Sequence, residues 1–478
     1  MPVAGVSALS RAEASTRALV LRRWRRVRLA VTRAPLEYIF LVIALAWGVA
    51  QVFIVPPLQV PDEGDHWFRA WALTEGQLTA DGQGVITLPG DFARTADLYT
   101  RLLGVGGMSG LPVSLEGQAG FSSYEDLFNS PGTSGAVKVV SRVASYGPLG
   151  YLPQAVGVAL GRLVGARPLT CFYLARLANL LAAIALLFLT IRLAPFGKQL
   201  FLLVALLPMT MFELASVSCD ALTISGAMFF ISLLLWASAR ATLRRTDVAL
   251  VFLAAALFLN VKPAYWALVL LVLLIRPAQL GGRARYAAFV VGNVLAVGGL
   301  FLIGSWATAI DVRGPAAGGP EPRILFILHE PLGFLGILWS SLQNDLHQWV
   351  LQSIGALGWF TITLPPAAYG VALMAGLGFF FWMNEDVDLQ PWRRVLLATV
   401  GIAVFLTMAV LLYAFLKPTA AGELPFQGRY LAPVWLLLLL SVYGIRFARR
   451  NLGLPFVVGV LLVMMVLNMQ ALISAYQP

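Results

Sequence analysis

The residues best equipped for chemistry crowd into one short stretch. Within "VPPLQVPDEGDHW" (55–67), three carboxylates, Asp62, Glu63 and Asp65, and one of only three histidines, His66, fall in five consecutive residues. Such groups can take up a proton, hold a cation or cap a helix. Further ionisable residues stand at the ends of later apolar runs: Asp220 in "SVSCDAL", Lys262 in "LNVKPAYW", and Lys417, Glu423 and Arg429 in "LKPTAAGELPFQGRYLAP", the last followed by Tyr430. At membrane depth an ionisable side chain costs roughly 2.5 to 3.5 kcal/mol on insertion scales, so it marks a path or a site.

The setting is a membrane because of composition. With 59% hydrophobic residues, 12% charged and a mean hydropathy of +0.80, the 478-residue chain has more apolar surface than soluble cores could bury. Its apolar runs are unbroken over about 18 to 25 residues, which suits helices rather than alternating outer-membrane strands. The expected fold class is an all-α polytopic membrane protein. The net charge of +11 comes in short basic clusters between apolar runs, where orientation signals belong, and so carries no indication of nucleic-acid binding. Cys171 and Cys219 lie in or beside apolar segments without metal-ligand spacing and read as small core residues.

Basic clusters set the orientation. Residues 1–35 carry eight arginines and precede the first apolar run, 36–55, so this segment is expected to be cytoplasmic and the "PDEGDHW" stretch external. Pro56 and Pro57 end the first helix, which reads as a retained span. The rest of the chain, 36–478, is expected to form one membrane domain. Its first external loop, 56–168, contains Asp81, Asp91, Asp97, Glu116, Glu125 and Asp126 and bears interfacial helices. Residues 146–166 are long enough to span, but counting them would put the later basic clusters outside; an interfacial placement keeps the clusters Arg192/Lys198, Arg240/Arg244/Arg245, Arg276/Arg283/Arg285, Arg393/Arg394 and Arg446/Arg449/Arg450 cytoplasmic. The further spans then run roughly over 169–191, 199–217, 220–239, 248–260, 263–275, 285–308, 365–383, 394–416, 430–445 and 453–473, about 11 in all. Residues 309–364 form a second external loop with a helix in the interface. Asp220, Lys262 and Arg429 then share the external side with Asp62 and Glu63, and can converge on one cavity there.

Each group also has a plainer reading. Asp62 and Glu63 would cap the helix that starts near Asp65, and Asp220 the span that follows it. Lys262 would snorkel to headgroups, and Arg429 would anchor the interface. Glu213 in "MTMFELAS" and Arg176 in "YLARLAN" lie deeper in their spans and read as a structural pair.

A resemblance joins these residues. The arrangement of an external loop opening on an acidic pair, an Asp after the third span, and a lysine and an arginine at later external ends resembles the GT-C superfamily of integral membrane glycosyltransferases. More narrowly, "PPLQVPDEGDHWFRAWALTEG", "YGPLGYLPQAVG", "SVSCDAL", "VKPAYW", "GALGW" and "FQGRYLAP" are similar to a bacterial membrane family of unassigned function grouped with that superfamily, over about residues 36–445. There is no WWDYG-type acceptor motif, which speaks against transfer of oligosaccharide to asparagine. The resemblance implies a GT-C-like bundle that moves a sugar, with inversion, from a polyprenyl-phosphate donor to a glycan or lipid acceptor hydroxyl on the external face of the inner membrane, in envelope polysaccharide or glycolipid synthesis. It implies Asp62 and Glu63 as the catalytic carboxylates, Lys262, Arg429 and Tyr430 as the donor-phosphate cradle, and His66, Asp220 and Arg69 as auxiliary polar groups. A divalent ion, Mg or Mn, would fall to Asp220 and Glu63. The competing expectation is a transporter or flippase of lipid-linked sugars, which needs access from both faces; no inverted repeat of spans points that way.

Overall fold

In the computed structural model the described residues are 35–81, 84–104, 124–129, 135–141, 143, 146–308, 320–382, 389–415, 424–444 and 453–476. Most of the basic segment 1–35, Glu116, Lys417, Glu423 and the cluster Arg446, Arg449 and Arg450 lie outside them.

In chain order the elements are α1 (Leu36–Ile54), α2 (Glu63–Thr74), β1 (Val85–Pro89), α3 (Ala93–Gly104), α4 (Tyr124–Asn129), β2 (Ala136–Val140), α5 (Leu152–Leu163), α6 (Pro168–Leu193), α7 (Lys198–Ala205), α8 (Pro208–Leu214), α9 (Asp220–Ala239), α10 (Arg245–Phe258), α11 (Arg283–Thr308), α12 (Pro320–His329), α13 (Pro331–Gly355), β3 (Ala356–Leu357), β4 (Ile362–Thr363), α14 (Pro366–Trp382), α15 (Pro391–Phe415), α16 (Ala432–Val442) and α17 (Gly453–Tyr476). Among the described residues the strands make two small antiparallel pairs, β1 with β2 and β3 with β4. The molecule is therefore helical and polytopic. Among the described residues, five helices are long and apolar enough to cross a membrane, namely Leu36–Ile54, Pro168–Leu193, Asp220–Ala239, Pro391–Phe415 and Phe456–Tyr476. Helix α9 is the hub: 83% of its apolar window is enclosed by protein, against 28% for the last of the five.

Several expected spans take other forms, each for a local reason. The run 199–217 breaks into α7 and α8 because Pro208 offers no N–H to continue the ladder, and Leu207 before it is extended. The run 263–275 is a 3-10 helix, Pro263–Leu274, which at about 2.0 Å per residue reaches about 24 Å from only twelve residues. Residues 331–355, expected to lie flat in the interface, form a 25-residue helix that meets Arg323–His329 at a bend of 107°, and the bent pair together is apolar and long enough to count as one broken span. Helix α5, at twelve residues, rises about 18 Å, short of a hydrocarbon core of about 30 Å. It lies along α6 so closely that a Cβ on Gly157 would stand 2.4 Å from the Leu174 carbonyl.

The first loop has a core of its own. Trp67, Phe68, Trp71, Phe92, Tyr99, Phe128 and Phe172 are buried together, with the Trp71 and Phe92 rings 4.7 Å apart and Trp67 and Phe172 5.2 Å apart. A twelve-residue helix is too short to hold itself together in water. Helix α2 is held instead by this burial, worth about 1.5 to 3 kcal/mol per large side chain, which fixes its first turn over the head of α6.

Candidate functional site

Between the end of α1 and the start of α2 the chain makes a turn held from three sides. Arg176 of α6 captures the carbonyls left free where α1 ends, donating from Nη1 to Val52 O (3.0 Å) and Val55 O (2.6 Å) and from Nη2 to Pro56 O (3.0 Å). The same guanidinium meets Glu63 in a side-on fork, Nε to Oε1 at 2.8 Å and Nη2 to Oε2 at 2.7 Å. Glu63 also accepts from the backbone N–H of Leu58 (3.0 Å) and of Val217 (3.1 Å). With about four acceptor positions on a carboxylate, Glu63 is fully committed, and both side chains are wholly buried. Arg176 was expected to pair with Glu213; its partner is Glu63.

Asp62, one residue earlier, is held quite differently. It occupies the N-cap position of α2 in the left-handed region, φ 62°, yet its side chain makes no capping bond. The capping expectation therefore fails for Asp62. Leu58 is also left-handed, at φ 67°, and such backbone, costing of order 1 to 3 kcal/mol per residue, persists only where the surroundings impose it. Here they do: Trp359 Nε1 donates to Leu58 O at 3.1 Å, and Arg429 Nη1 donates to Pro61 O at 3.2 Å. The turned backbone points the Asp62 carboxylate at Arg429, whose Nη2 donates to Oδ2 at 2.6 Å. A quarter of the Asp62 side chain remains exposed.

Arg429 is delivered by a 3-10 turn, Gly428–Leu431, that leads into α16. Gly428 lies directly on α13: a Cβ there would stand 2.0 Å from the Trp349 carbonyl, and its N–H donates to Gln352 Oε1 at 2.8 Å. The Arg429 side chain is buried. Its Nη1 also reaches Glu213 Oε1 on α8 at 3.2 Å and lies 3.8 Å from Asp220 Oδ2, while Nη2 donates to the Tyr430 hydroxyl at 3.1 Å. Lys262 donates to Asp220 Oδ1 and sits over the rings of Tyr430 (4.8 Å) and Tyr146 (5.4 Å), a cation–π setting. Tyr265 fixes the turn by donating to Tyr430 O at 2.8 Å. Three polar atoms in this cluster are buried without a hydrogen-bond partner among the described residues: Arg429 Nε, Glu213 Oε2 and Asp220 Oδ2.

The structure thus brings together Asp62, Asp220, Lys262, Arg429 and Tyr430. It adds Glu213, which sequence reasoning set aside as structural; the signal was there, a lone carboxylate within an apolar run. Asp220 is the first residue of α9 and is paired with Lys262. His66 stands at the edge of the cluster, its Nδ1 2.7 Å from the Tyr151 hydroxyl. Arg69 is turned away and holds the turn after α2 by donating to Gln77 O and Leu78 O.

Electrostatics separates two of these groups. Burial on its own raises the Asp62 carboxyl, but the Arg429 guanidinium, with lesser help from His66 and Lys262, more than offsets this and holds it below its ordinary value. Burial pushes His66 down to about 4, although Asp220 pulls the other way. His66 is therefore neutral at physiological pH.

Asp220 and Glu63 do not compose a metal site. Glu63 spends its oxygens on Arg176 and two backbone amides, Asp220 faces two cations, and among the described residues no group of three His, Cys, Asp or Glu side chains could hold an ion.

Residues 45–438 match the family described as "Predicted membrane protein (DUF2142)", and the chain belongs to it. Neither a curated protein nor a solved structure matches.

Proposed function

We propose that this protein is an inverting glycosyltransferase of the GT-C kind, with about 11 spans and a cytoplasmic N-terminus in the inner membrane. Its substrate is a polyprenyl-phosphate sugar used on the external face, and its product a glycosylated glycan or lipid. The observation that carries the reading is the Asp62 carboxylate: strained backbone withholds it from its helix cap and presents it, partly exposed, beside two buried cations.

The chemistry asked of these residues is a single displacement. An acceptor hydroxyl attacks the anomeric carbon, its proton passes to Asp62, and the bond from that carbon to the phosphate oxygen breaks with the electron pair leaving on the phosphate. Lys262 and Arg429 hold the charge that develops there, the guanidinium by its planar fork. Glu63 does not react; it positions Asp62 by fixing the turn from 58 to 63. No metal ion enters this scheme.

Purified protein in lipid nanodiscs, incubated with a panel of synthetic polyprenyl-phosphate sugars and candidate acceptors, is expected to release polyprenyl phosphate. Absence of release with every donor, together with donor translocation across sealed vesicles, would sink the transferase in favour of a flippase.

A further inference from the structure

The two buried arginines at this turn present the same edge to neighbouring carboxylates, and only one edge is filled. On Arg176 the Nε and Nη2 hydrogens both go to Glu63, 2.8 and 2.7 Å away. On Arg429 the corresponding Nη2 goes to Asp62 Oδ2 and to the Tyr430 hydroxyl, while Nε is buried with no partner among the described residues. A buried guanidinium N–H without an acceptor is costly. The backbone at Asp62, held left-handed by contacts on both sides, does not bring the second carboxylate oxygen round to Nε.

Charge sharpens the point. Lys262 and Arg429 face three carboxylates, Asp62, Glu213 and Asp220, so an entering anion finds both cations already engaged. Among these three, Asp62 alone has a substantially exposed side chain, 25% against 0% for Glu213 and 3% for Asp220. The turn that carries it is buried on either side, at Leu58, Val60 and Glu63, so the exposure belongs to the Asp62 side chain itself. It is the carboxylate that can leave.

We propose that Asp62 is an internal stand-in for the phosphate of the donor: a phosphate displaces it from Nη2, fills the Nε and Nη2 fork of Arg429 with two oxygens, and releases the Asp62 carboxylate to accept a proton. This deepens the reading of the site as one that takes polyprenyl-phosphate sugars, and rests on it. While Asp62 is paired it is a poor base, because the guanidinium favours its anion. Once the phosphate takes that guanidinium, the carboxylate regains basicity beside the acceptor. Base strength thereby appears only when a donor is seated, and water in an empty site meets no activated base.

The test is a binding measurement that needs no turnover. Polyprenyl phosphate and, separately, inorganic phosphate are titrated into detergent-purified wild type, Asp62→Asn and Glu213→Gln, with heat or intrinsic tryptophan fluorescence as readout. Removing the competitor is expected to tighten polyprenyl phosphate by roughly tenfold or more in Asp62→Asn, the scale of one charge-assisted hydrogen bond. Glu213→Gln, which removes a charge from Nη1 but leaves the Nε and Nη2 fork as it is, should tighten binding by clearly less than Asp62→Asn does. Asp62→Gly, well suited to the left-handed backbone, should tighten likewise and covers the case in which the Asn variant fails to fold. Tightening of inorganic phosphate as well would show that the fork reads phosphate alone, and tightening confined to polyprenyl phosphate that it reads a lipid-borne one; either outcome supports the stand-in. Unchanged or weaker binding in both Asp62 variants overturns it, as does equal tightening in Glu213→Gln, since relief of negative charge in general would then suffice. If the variants tighten but no donor is ever cleaved, the stand-in survives and the transferase reading does not.

Discussion

Two carboxylates adjacent in sequence meet two buried arginines, and the pairs differ in everything but chemistry. Glu63 and Arg176 are joined by two short hydrogen bonds, wholly buried, with every oxygen of the carboxylate used. Asp62 and Arg429 share one short bond, with the carboxylate partly in solvent and the guanidinium Nε unused. A saturated buried pair resists change, because opening it strands charge in a medium that cannot solvate it. A half-made pair at an exposed edge can exchange partners. One pair builds the turn; the other is free to work on it.

Breaking the first pair should have the largest effect of all. Glu63→Gln leaves Arg176 buried without a counter-charge, and removal of one partner from such a pair costs about 3 to 5 kcal/mol. The expected result is an early thermal transition, read by reaction of the buried thiols Cys171 and Cys219 with a thiol-reactive dye during heating. A variant as stable as wild type would show that Glu63 does not build the turn, and the contrast between the pairs would collapse.

Breaking the second pair should instead strike turnover. Asp62→Asn keeps shape and hydrogen bonding but takes no proton, so transfer is expected to fall by roughly 10²-fold or more, with thermal stability lowered far less than in Glu63→Gln. Full activity in this variant would return Asp62 to the role of a structural turn.

A smaller effect should follow from disturbing Arg429 at a distance. A methyl group on Gly428 meets the Trp349 carbonyl at 2.0 Å, and backbone cannot give way as a side chain can. Gly428→Ala is expected to cost about 1 to 3 kcal/mol of stability by overpacking. It should also lower turnover by roughly tenfold or more, since a small misplacement of a charge-holding group is enough. The assay is the same donor cleavage. Loss of stability with unchanged turnover would mean that the seat of Arg429 on α13 has no part in the chemistry.

The sequence disclosed the class of the fold and much of the membership of the polar cluster, through different kinds of signal. Helical, polytopic character lies in composition and run length, which need no tertiary knowledge. Asp62, Asp220, Lys262 and Arg429 stood out because ionisable residues at the ends of apolar runs are expensive. What could not be read was pairing. Glu63 and Asp62 look alike as neighbours, and only the φ of 62° at Asp62 sends one to Arg429 and the other to Arg176. Glu213 was assigned the wrong arginine for the same reason: α8 exists as a separate short helix because Pro208 breaks the run, and that break aims Glu213 at Arg429. Arg69 shares the motif's helix but faces the far side of it, a matter of helical phase set by the aromatic core of the loop.

The smallest effect is expected near neutral pH, and acid separates it from the rest. His66 lies one turn into α2 beside the second pair, pushed down to about 4 from an ordinary 6.5 by burial. Between those values the unfolded chain binds a proton that the folded protein refuses, so the stability present above pH 6.5 drains away as pH falls toward 4. Asp62 is held below its ordinary 3.8, so the stability its pairing with Arg429 supplies is complete above that value and is lost only as pH falls through the still lower folded one. The two windows do not overlap. His66→Gln, which can still hydrogen-bond the Tyr151 hydroxyl but does not titrate, is expected to unfold within a degree or two of wild type at pH 7.5 and to hold its stability better than wild type between pH 6.5 and 4. Asp62→Asn should keep the wild-type slope in that upper window. A His66→Gln variant that loses stability between pH 6.5 and 4 with the same slope as wild type would remove His66 as the source, and the pair between Asp62 and Arg429, whose window lies lower, could not take its place.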